Sequence, residues 1–389
     1  MGDASEGWSD RAGVYRTQPT GYRAFLPAPL PPEPTIQYDR HGLTRLLSEA
    51  DIALGRLDGS IATLPNPDLF VMMYVRKEAV LSSQIEGTQS SLQDLLAAEA
   101  KVIGGVASPA RDVDEVINYV AAMRLGLARL ADLPVSGRLI REIHERMMTG
   151  QRGGGLTPGE FRRSQNWIGP SGATIAQASF VPPPPELVAA AIGELEHFIH
   201  AHTDMPALIR IGLAHAQFET IHPFLDGNGR VGRLLITFLL CEAGLLAKPV
   251  LYLSHYFKRH RQAYYDHLQA IREAGAWEAW LAFFLRGVAE VSREASVTAH
   301  RILRLREAHR SVIADRFGRA AGNGHRVLES LYERPIISVH DVEALLGVTY
   351  PAANNLVSRC ERAGILVEIT GNRRNRRFRY EPYVALFRE

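Results

Sequence analysis

Cysteine is scarce in this chain, whose 389 residues include only two, Cys241 and Cys360. The two lie far apart in the sequence, and each falls within an apolar stretch with helical character. Small domains that depend on disulfides carry many cysteines within a short sequence. The composition therefore argues against a disulfide framework and is typical of a protein from a reducing compartment.

Long apolar runs are also missing. No stretch has the roughly 20 consecutive apolar residues that a transmembrane helix needs. The start of the chain, MGDASEGWSD, is polar and acidic and lacks the basic and apolar regions of a signal peptide. We therefore predict a cytoplasmic protein with no membrane partner.

The chain also lacks a strong excess of either charge. It has 44 lysines and arginines against 42 aspartates and glutamates, which gives a formal net charge of +2. Any preference for nucleic acid must therefore come from a local basic patch. The length and the hydrophobic content of 46% are ordinary for a globular protein of two or three domains.

The densest cluster of reactive side chains is the segment HPFLDGNGRVGR at 222–233. Pro223 disfavours a helical conformation at His222, which places the imidazole in a loop. The glycines of 227–229 permit an unusual turn, and from Arg230 onward apolar residues recur at helical spacing. Such a turn at the start of a helix directs backbone N–H groups toward an anion.

Charged side chains surround this turn. Arg230 and Arg233 would extend the anion site, and Asp226 could hold a divalent cation. For each residue taken alone, an ordinary loop or a solvated arginine is the better explanation, but together they indicate phosphate chemistry. A zinc site is a third alternative. It is disfavoured because Pro223 disrupts the helical face that would bring His222 and Asp226 together, and no third ligand is near.

The segment resembles the Fic motif, His-Pro-Phe-x-Asp/Glu-Gly-Asn-Gly-Arg-x-x-Arg, and matches it at every defined position. The resemblance implies a protein adenylyltransferase, which transfers AMP from ATP to a Ser, Thr or Tyr hydroxyl of a target protein or of itself. It implies that His222 is the general base and that Asp226 binds Mg²⁺ or Mn²⁺. The implied nucleotide-binding residues are Asp226, Gly227, Asn228, Gly229, Arg230 and Arg233.

A second segment resembles the Fic inhibitory motif, Ser/Thr-x-x-x-Glu-Gly/Asn, with Ser82, Glu86 and Gly87 in place at the end of a predicted helix. In the family, the glutamate pairs with the second arginine of the active-site motif, here Arg233, where it takes the place of the ATP γ-phosphate. The resemblance therefore implies an auto-inhibited enzyme. From the local sequence alone, a solvated glutamate near a helix end explains Glu86 better.

Two other functions fit the same residues. Glu86 could activate water and remove AMP from a modified protein, which reverses the chemistry on the same fold. Alternatively, the chain is a DNA-binding regulator in which the Fic site senses a nucleotide.

A β-hairpin is predicted where two extended stretches flank Pro170-Ser-Gly172. It follows Gly159-Glu-Phe-Arg162, which resembles a recurrent Fic segment beside the active site. Family members carry such a flap over the active site, and it can pair with an extended segment of the target. The apolar residues of the flap are Trp167, Ile168, Phe180 and Val181. A packed surface hairpin without a partner is the alternative.

The C-terminal part of the chain has the order of a winged helix, with three helices followed by two strands that enclose the basic loop GNRRNRR at 371–377. The arginines predicted to contact DNA phosphates are Arg373, Arg374, Arg376 and Arg377. Asn354, Asn355 and Arg359 on the third helix could reach base edges. Protein contacts, with a solvated loop, are the alternative.

The predicted fold is mostly α-helical. It comprises a Fic-type helical bundle with a small β-hairpin flap, and a C-terminal winged helix-turn-helix domain. The predicted domains are an N-terminal region with the inhibitory helix at 1–100, a catalytic core at 101–290, a connector helix at 291–318 and the winged helix at 319–389. Residues 1–38 should form an irregular arm, either packed or free. A homodimer is expected from apolar helix surface and from the family.

Single residues carry several local expectations. Thr88 or Ser90 should cap the third helix, and the glycines at 322–324 should end the connector. His144 and His215 are expected to be structural side chains that bind no ligand. The tyrosines that fit either a buried core or a nucleotide contact are Tyr252, Tyr256 and Tyr264.

Overall fold

The computed structural model describes residues 9–62, 67–103, 111–150, 157–170 and 172–388. Its α-helices are α1 (Leu43–Ala62), α2 (Pro67–Ile85), α3 (Leu92–Ile103), α4 (Arg111–Arg129), α5 (Gly137–Met147), α6 (Pro185–His200), α7 (Ala207–Ile221), α8 (Asn228–Glu242), α9 (Ser254–Arg259), α10 (Arg261–Ala274), α11 (Trp277–Phe317), α12 (Ala321–Glu333), α13 (Val339–Leu346), α14 (Tyr350–Arg362) and α15 (Glu381–Val384). Its short strands are β1 (Gly13–Thr17), β2 (Arg23–Pro27), β3 (Ile336–Ser338), β4 (Val367–Glu368) and β5 (Arg377–Arg379). The prediction of a mostly α-helical fold is confirmed.

Helices α7 and α8 form the centre of the bundle. Nearly every residue of both is buried, and the two pack against each other. A helix that is apolar on all faces must be surrounded by other elements, which here include α4, α5, α6, α10 and α11. The loop that joins α7 to α8 is therefore held at both ends by the most buried helices. None of the described helices combines the length and the apolar content that a bilayer crossing requires.

Two strands lie within residues 9–38, so the expectation of an irregular arm was wrong for the described part of the arm. Strands β1 and β2 pair antiparallel from Gly13 opposite Pro27 to Thr17 opposite Arg23. Arg11 donates two 3.0 Å hydrogen bonds to the carboxylate of Glu278, and both side chains are buried. Phe25 is fully buried as well. Of the two alternatives for the arm, the packed one holds for its described residues. The proline-rich stretch after β2 had concealed the short strands.

The junction between α2 and α3 differs by one residue from the expectation. Ser91 is the cap: its Oγ accepts a 3.2 Å hydrogen bond from the Asp94 N–H, and Asp94 Oδ2 accepts a 2.9 Å bond from the Ser91 N–H. This reciprocal pattern satisfies two backbone donors at once and is favoured over a single cap. Thr88 donates instead to Glu115 at 3.2 Å. The cap predicted at Thr88 or Ser90 was therefore wrong.

Helix α11 runs without interruption through the predicted connector. It packs against α1, and Ala295, Ala299 and Ile302 are fully buried. The helix ends at Gly318, whose φ of 53° lies in the left-handed region. The glycines at 322–324 lie inside α12, so the helix break predicted there was wrong. A methyl group at Gly324 would come within 2.8 Å of Ile313, which shows that this glycine permits close packing.

The C-terminal unit contains α12 to α15 and an antiparallel sheet of order β3-β5-β4. Strand β3, which precedes α13, was not predicted because it has only three residues. The unit packs on α2: the rings of Tyr74 and Phe387 lie 5.2 Å apart, and Arg76 Nη1 donates a 3.0 Å hydrogen bond to the Glu333 carbonyl.

Candidate active site

The loop between α7 and α8 is shaped by two left-handed residues. His222 ends α7 with a φ of 49°, and Gly227 precedes α8 with a φ of 78°. The Asn228 side chain closes the loop, because its Oδ1 accepts from the Phe224 N–H and its Nδ2 donates to the Phe224 carbonyl, each at 2.8 Å. The first N–H groups of α8 have no partner within the helix and can face an anion.

The imidazole of His222 is neutral at physiological pH. Burial lowers the pKa of His222 to about 3, and the positive charges of Arg272 and Arg162 lower it further. Its Nδ1 has no hydrogen-bond partner among the described residues. A neutral, partly exposed imidazole can accept a proton from a bound hydroxyl group.

His144 supports the same loop, which the sequence did not indicate. Its Nδ1 accepts a 2.9 Å hydrogen bond from the Gly159 N–H, so its Nε2 must donate the 3.1 Å bond to the Asp226 carbonyl. The ring stacks on Phe224 at 3.7 Å between centroids. Burial lowers the pKa of His144 to about 4, which keeps it neutral. It is a structural side chain, as expected, and it fixes the backbone beside Asp226.

The segments around Glu86 and Arg233 meet. Arg233 Nη2 lies 2.6 Å from Glu86 Oε1 and 3.0 Å from the Ser82 carbonyl, and Arg233 Nε donates to Ser82 Oγ at 2.8 Å. The Arg233 side chain is 2% exposed and that of Glu86 is 40% exposed. Burial alone would raise the pKa of Glu86, but the Arg233 guanidinium outweighs it and lowers that pKa. The ion pair is therefore charged at neutral pH.

Two glycines of α8 make room for carboxylates. A methyl group at Gly229 would overlap Glu86 Oε1 and lie 3.0 Å from Arg233 Nη1. A methyl group at Gly232 would overlap Glu219 Oε1. The small residues at these positions thus let the acidic side chains of Glu86, which follows α2, and of Glu219, on α7, approach the first turns of α8.

Glu219 is an acidic residue that sequence analysis missed. It is 6% exposed, and its Oε1 has no hydrogen-bond partner among the described residues. Burial raises the pKa of Glu219 to about 7, although the charge of Arg233 opposes the shift. The available signal was a glutamate in a mostly apolar helix, three residues before His222.

Some N–H donors of Arg230 are not used in hydrogen bonds within the described part of the chain. Its side chain is 5% exposed, and its Nε and Nη1 have no hydrogen-bond partner in the described part of the chain. The nearest carboxylates are those of Glu115, 3.5 Å from Nη1, and Asp226, 3.7 Å from Nη2. A buried guanidinium with unused N–H groups beside a helix start is suited to bind an anion.

Asp226 is the candidate metal ligand at this loop. Its side chain is 52% exposed, and its Oδ1 accepts a 2.6 Å hydrogen bond from the Gly227 N–H. No group of three His, Cys, Asp or Glu side chains among the described residues is arranged to hold a metal. A single accessible carboxylate fits Mg²⁺, which commonly binds one or two carboxylates and completes its shell with phosphate oxygens and water.

The predicted β-hairpin is reduced to a single antiparallel bridge between Ile168 and Phe180, with no strand among the described residues on either side of it. Ile168 donates to the Phe180 carbonyl at 2.8 Å and accepts from its N–H at 3.1 Å. Phe180 and Val181 are buried, whereas Trp167 is 40% exposed and donates its Nε1–H to the Ala173 carbonyl. Of the four apolar flap residues, Trp167 offers the most surface to a partner. Arg162 lies beneath the hairpin and donates to the His222 carbonyl at 2.9 Å.

The three tyrosines left open by the sequence are buried, with 1–6% exposure, and therefore belong to the core: Tyr252, Tyr256 and Tyr264. His215 is buried between the Gly232 carbonyl and the Tyr264 hydroxyl, as a structural residue. The accessible tyrosine is the next residue, Tyr265, which is 37% exposed. After burial, the charges of Glu86 and Arg233 have the largest effects on the Tyr265 pKa, which is raised.

The arginines of the 371–377 loop divide into two pairs. Arg373 and Arg374 are exposed. Arg376 donates to Asn354 Oδ1 at 2.8 Å, and Arg377 donates to Asp341 Oδ2 at 3.2 Å. On α14, Arg359 is directed to the Phe317 carbonyl and to Asn355, at 2.9 and 3.2 Å. Several side chains predicted to contact DNA thus have partners within the chain.

Two family models match the chain. The Fic/DOC family N-terminal model matches residues 44–128, and the Fic/DOC family model matches residues 134–240. The chain is 31% identical over 193 residues to a protein adenylyltransferase Fic of Culex quinquefasciatus, which covers 48% of this chain and 33% of the relative. It is 30% identical over 213 residues to a probable protein adenylyltransferase of Aquifex aeolicus, with 53% and 56% covered. The chain thus spans about a third of the length of the insect relatives that it matches.

Solved structures share the fold. A Fic family protein from Desulfovibrio desulfuricans G20 superposes with a TM-score of 0.56 at 21% identity, over 89% of this chain and 97% of that one. Residues 134–508 of Fic-1 from C. elegans superpose with a TM-score of 0.50 at 23% identity, over 68% and 76%. The motif, the two family models and the fold agree: residues 44–128 match the Fic/DOC family N-terminal model, and residues 134–240 match the Fic/DOC family model.

Proposed function

We propose that this chain transfers AMP from ATP to a hydroxyl group of a target protein, and that Glu86 holds it in an inhibited state. The observation that carries the proposal is the ion pair between Glu86 and the buried Arg233, at 2.6 Å, beside a neutral His222. Relatives named protein adenylyltransferase support the chemistry.

In the proposed reaction, His222 takes the proton of the target hydroxyl. The oxygen attacks the α-phosphorus of ATP, the bond from that phosphorus to the β-phosphate oxygen breaks, and pyrophosphate leaves. Backbone N–H groups at the start of α8 stabilise the charge that grows on the α-phosphate oxygens. The low pKa of His222 keeps the base unprotonated before substrate binds.

The proposed nucleotide contacts follow from unused donors. Arg230 Nε and Nη1 have no hydrogen-bond partner in the described part of the chain and would bind the β-phosphate, while Arg233 would bind the γ-phosphate. Tyr265 is the accessible ring for the base or ribose. Asp226 would hold Mg²⁺ or Mn²⁺, which neutralises phosphate charge when bound. The Asn228 side chain, bonded to Phe224, would act by shaping the loop.

The inhibited state would arise from competition for one guanidinium. Glu86 occupies Arg233 with a charge-assisted hydrogen bond, and a γ-phosphate needs the same N–H groups. Gly229 is required for the approach, because a side chain there would overlap Glu86 Oε1. Removing the carboxylate should leave Arg233 free for ATP.

The test compares labelled ATP incorporation by Glu86→Gly and by Glu86→Gly with His222→Ala. We expect the single variant to label itself or a protein target more strongly than the parent. The double variant should return to background. Label that persists after His222→Ala would refute the proposed base.

A second candidate activity is removal of AMP from a modified protein. It is supported by Glu86, which is charged at neutral pH, 40% exposed and close enough to affect the pKa of His222. In that case Glu86 activates water, and Glu86→Gly loses activity on an adenylylated substrate. A gain of labelling in the same variant favours AMP transfer.

We also propose that α12 to α14 and the sheet β3-β5-β4 form a winged helix that contacts DNA through Arg373 and Arg374, which are exposed. Binding of the full chain to duplex DNA should weaken steeply with salt and should depend on these two arginines. An absence of binding at low salt would leave protein contacts as the role of this unit. The homodimer and the cytoplasmic location stay predictions.

A further inference from the structure

The carbonyl end of α7 is held by two buried arginines from distant parts of the chain. Arg162 donates its Nε–H to the His222 carbonyl and its backbone N–H to the Pro223 carbonyl, both at 2.9 Å. Arg272, on α10, donates to the Glu219 carbonyl at 3.1 Å and lies 3.4 Å from Thr220 Oγ1. The last carbonyls of a helix lack helical partners and carry partial negative charge, so cations are favoured there.

Arg272 also contacts the flap. Its guanidinium carbon lies 3.8 Å from the centroid of the Phe180 ring. Phe180 is the flap residue that pairs with Ile168, and it packs on Phe25 of β2 at 5.8 Å between centroids. A guanidinium stacked on a buried aromatic face is held in one orientation. The Arg272 side chain therefore contacts both α7, which ends at His222, and the flap.

The two contacts account for the burial of Arg272. The residue is 6% exposed, and no carboxylate among the described residues lies within salt-bridge distance of it. A buried arginine usually has an acidic partner, because an unpaired charge is costly to desolvate. Here the Glu219 carbonyl, the Thr220 hydroxyl, the Gln269 side-chain oxygen at 3.5 Å and the Phe180 ring take that place.

We propose that Arg272 is a positioning residue that sets the His222 end of α7 and the flap segment at Phe180 in one fixed geometry. The proposal rests on the proposed function in that His222 is the base and the flap receives the target. The charge of Arg272 and the planar shape of its guanidinium have separate effects, and different substitutions can distinguish them.

The charge acts on His222 together with its neighbours. The groups that affect the imidazole are Arg272, Arg162, the Glu219 carbonyl and Glu86. After burial, Arg272 contributes most to lowering the pKa of His222. Loss of the charge should therefore let the imidazole protonate at higher pH, whereas Arg272→Lys should preserve the effect.

The first measurement follows the His222 ring by NMR in the full chain with labelled histidine, and His222→Ala assigns the signal. We expect protonation to begin about one pH unit higher in Arg272→Gln than in Arg272→Lys. Arg163→Gln is the matched control, because Arg163 is exposed and pairs with Glu160. The same onset in the Gln and Lys variants would overturn the electrostatic part of the proposal.

The second measurement follows amide hydrogen exchange at Ile168 and Phe180. Both Arg272 variants lose the planar stack on Phe180, so exchange there should be faster than in Arg163→Gln. Unchanged protection of the flap in Arg272→Lys would overturn the coupling between α7 and the flap. Neither measurement uses ATP, so both outcomes stand even if Glu86→Gly fails to transfer AMP.

Discussion

Arginines occur in two clusters that differ in almost every physical respect. Around the α7–α8 loop, Arg162, Arg230, Arg233 and Arg272 are each no more than 6% exposed. In the loop at 371–377, two arginines are exposed and two make hydrogen bonds to Asn354 and Asp341. Both clusters consist of arginines. Those at the α7–α8 loop are buried and have fixed neighbours, whereas the exposed arginines of the 371–377 loop can change their orientation.

The comparison shows where a charged side chain contributes most to the stability of the fold. A buried guanidinium that loses its partner, or a carboxylate that loses its guanidinium, leaves an uncompensated charge away from water. Exposed pairs contribute between zero and about 1 kcal/mol. The buried cluster should therefore be sensitive to every substitution and the exposed one tolerant.

The largest expected effect comes from Arg233→Ala. It leaves Glu86 without its partner and removes the positive charge that most strongly affects the buried Glu219. Because the Glu86 side chain is 40% exposed, water can partly replace its lost partner, and we expect a loss of about 2–4 kcal/mol in the free energy of unfolding, measured by urea denaturation. Arg373→Ala is the control on the exposed cluster. Equal losses in the two variants would show that burial is not what distinguishes them.

A pH-dependent effect should follow from Glu219. The pKa of Glu219 in the folded chain is about 7, above its ordinary value of 4.5, so the folded state binds the proton more tightly. The stability of the parent should therefore fall as pH rises from 4.5 to 7, by up to about 3 kcal/mol. Glu219→Gln should remove this dependence, as urea denaturation at pH 5 and pH 8 would show. An identical pH dependence in both proteins would contradict it.

Gly229→Ala should disturb the Glu86 ion pair directly. The added methyl group overlaps Glu86 Oε1, and overpacking of this kind costs about 1–3 kcal/mol. In a Glu86→Gly background the overlap disappears, so the same substitution should cost much less. A thermodynamic cycle of the four proteins measures this coupling. Additive losses would mean that Gly229 and Glu86 do not meet in solution.

The smallest effect is expected in the basic loop. Arg373→Ala with Arg374→Ala should change stability by less than about 0.5 kcal/mol, because both side chains are in solvent. If the loop contacts DNA, the slope of log K against log salt should fall by about 2. Arg376→Ala should cost more stability, since it removes the bond to Asn354. A large stability loss in the double variant would contradict the proposed difference between the buried and the exposed arginine cluster.

Sequence analysis predicted the parts of the site that are contiguous. The motif at 222–233 and the segment at 82–87 could be recognised because each lies within a dozen residues. The supporting residues His144, Glu219 and Arg272 were not assigned to the site, since their roles come from contacts with residues far away in the sequence.

The fold was predicted on the same principle. Long periodic helices were recognised, whereas short elements were not: β1, β2 and β3 depend on pairing with other segments. Gly324 was taken as a breaker because glycine favours turns, but close packing on Ile313 explains it. A periodic sequence pattern predicts an element when the element is long. Short elements and closely packed glycines are determined by tertiary contacts.

The central claim is that Glu86 blocks a site built for AMP transfer. The most direct test is the intact mass of Glu86→Gly after incubation with ATP and Mg²⁺, with Glu86→Gly combined with His222→Ala as control. The account predicts that the single variant gains the mass of one or more AMP groups, on itself or on an added protein, while the control gains none. An unmodified single variant, with bound ATP detected by calorimetry, would contradict it.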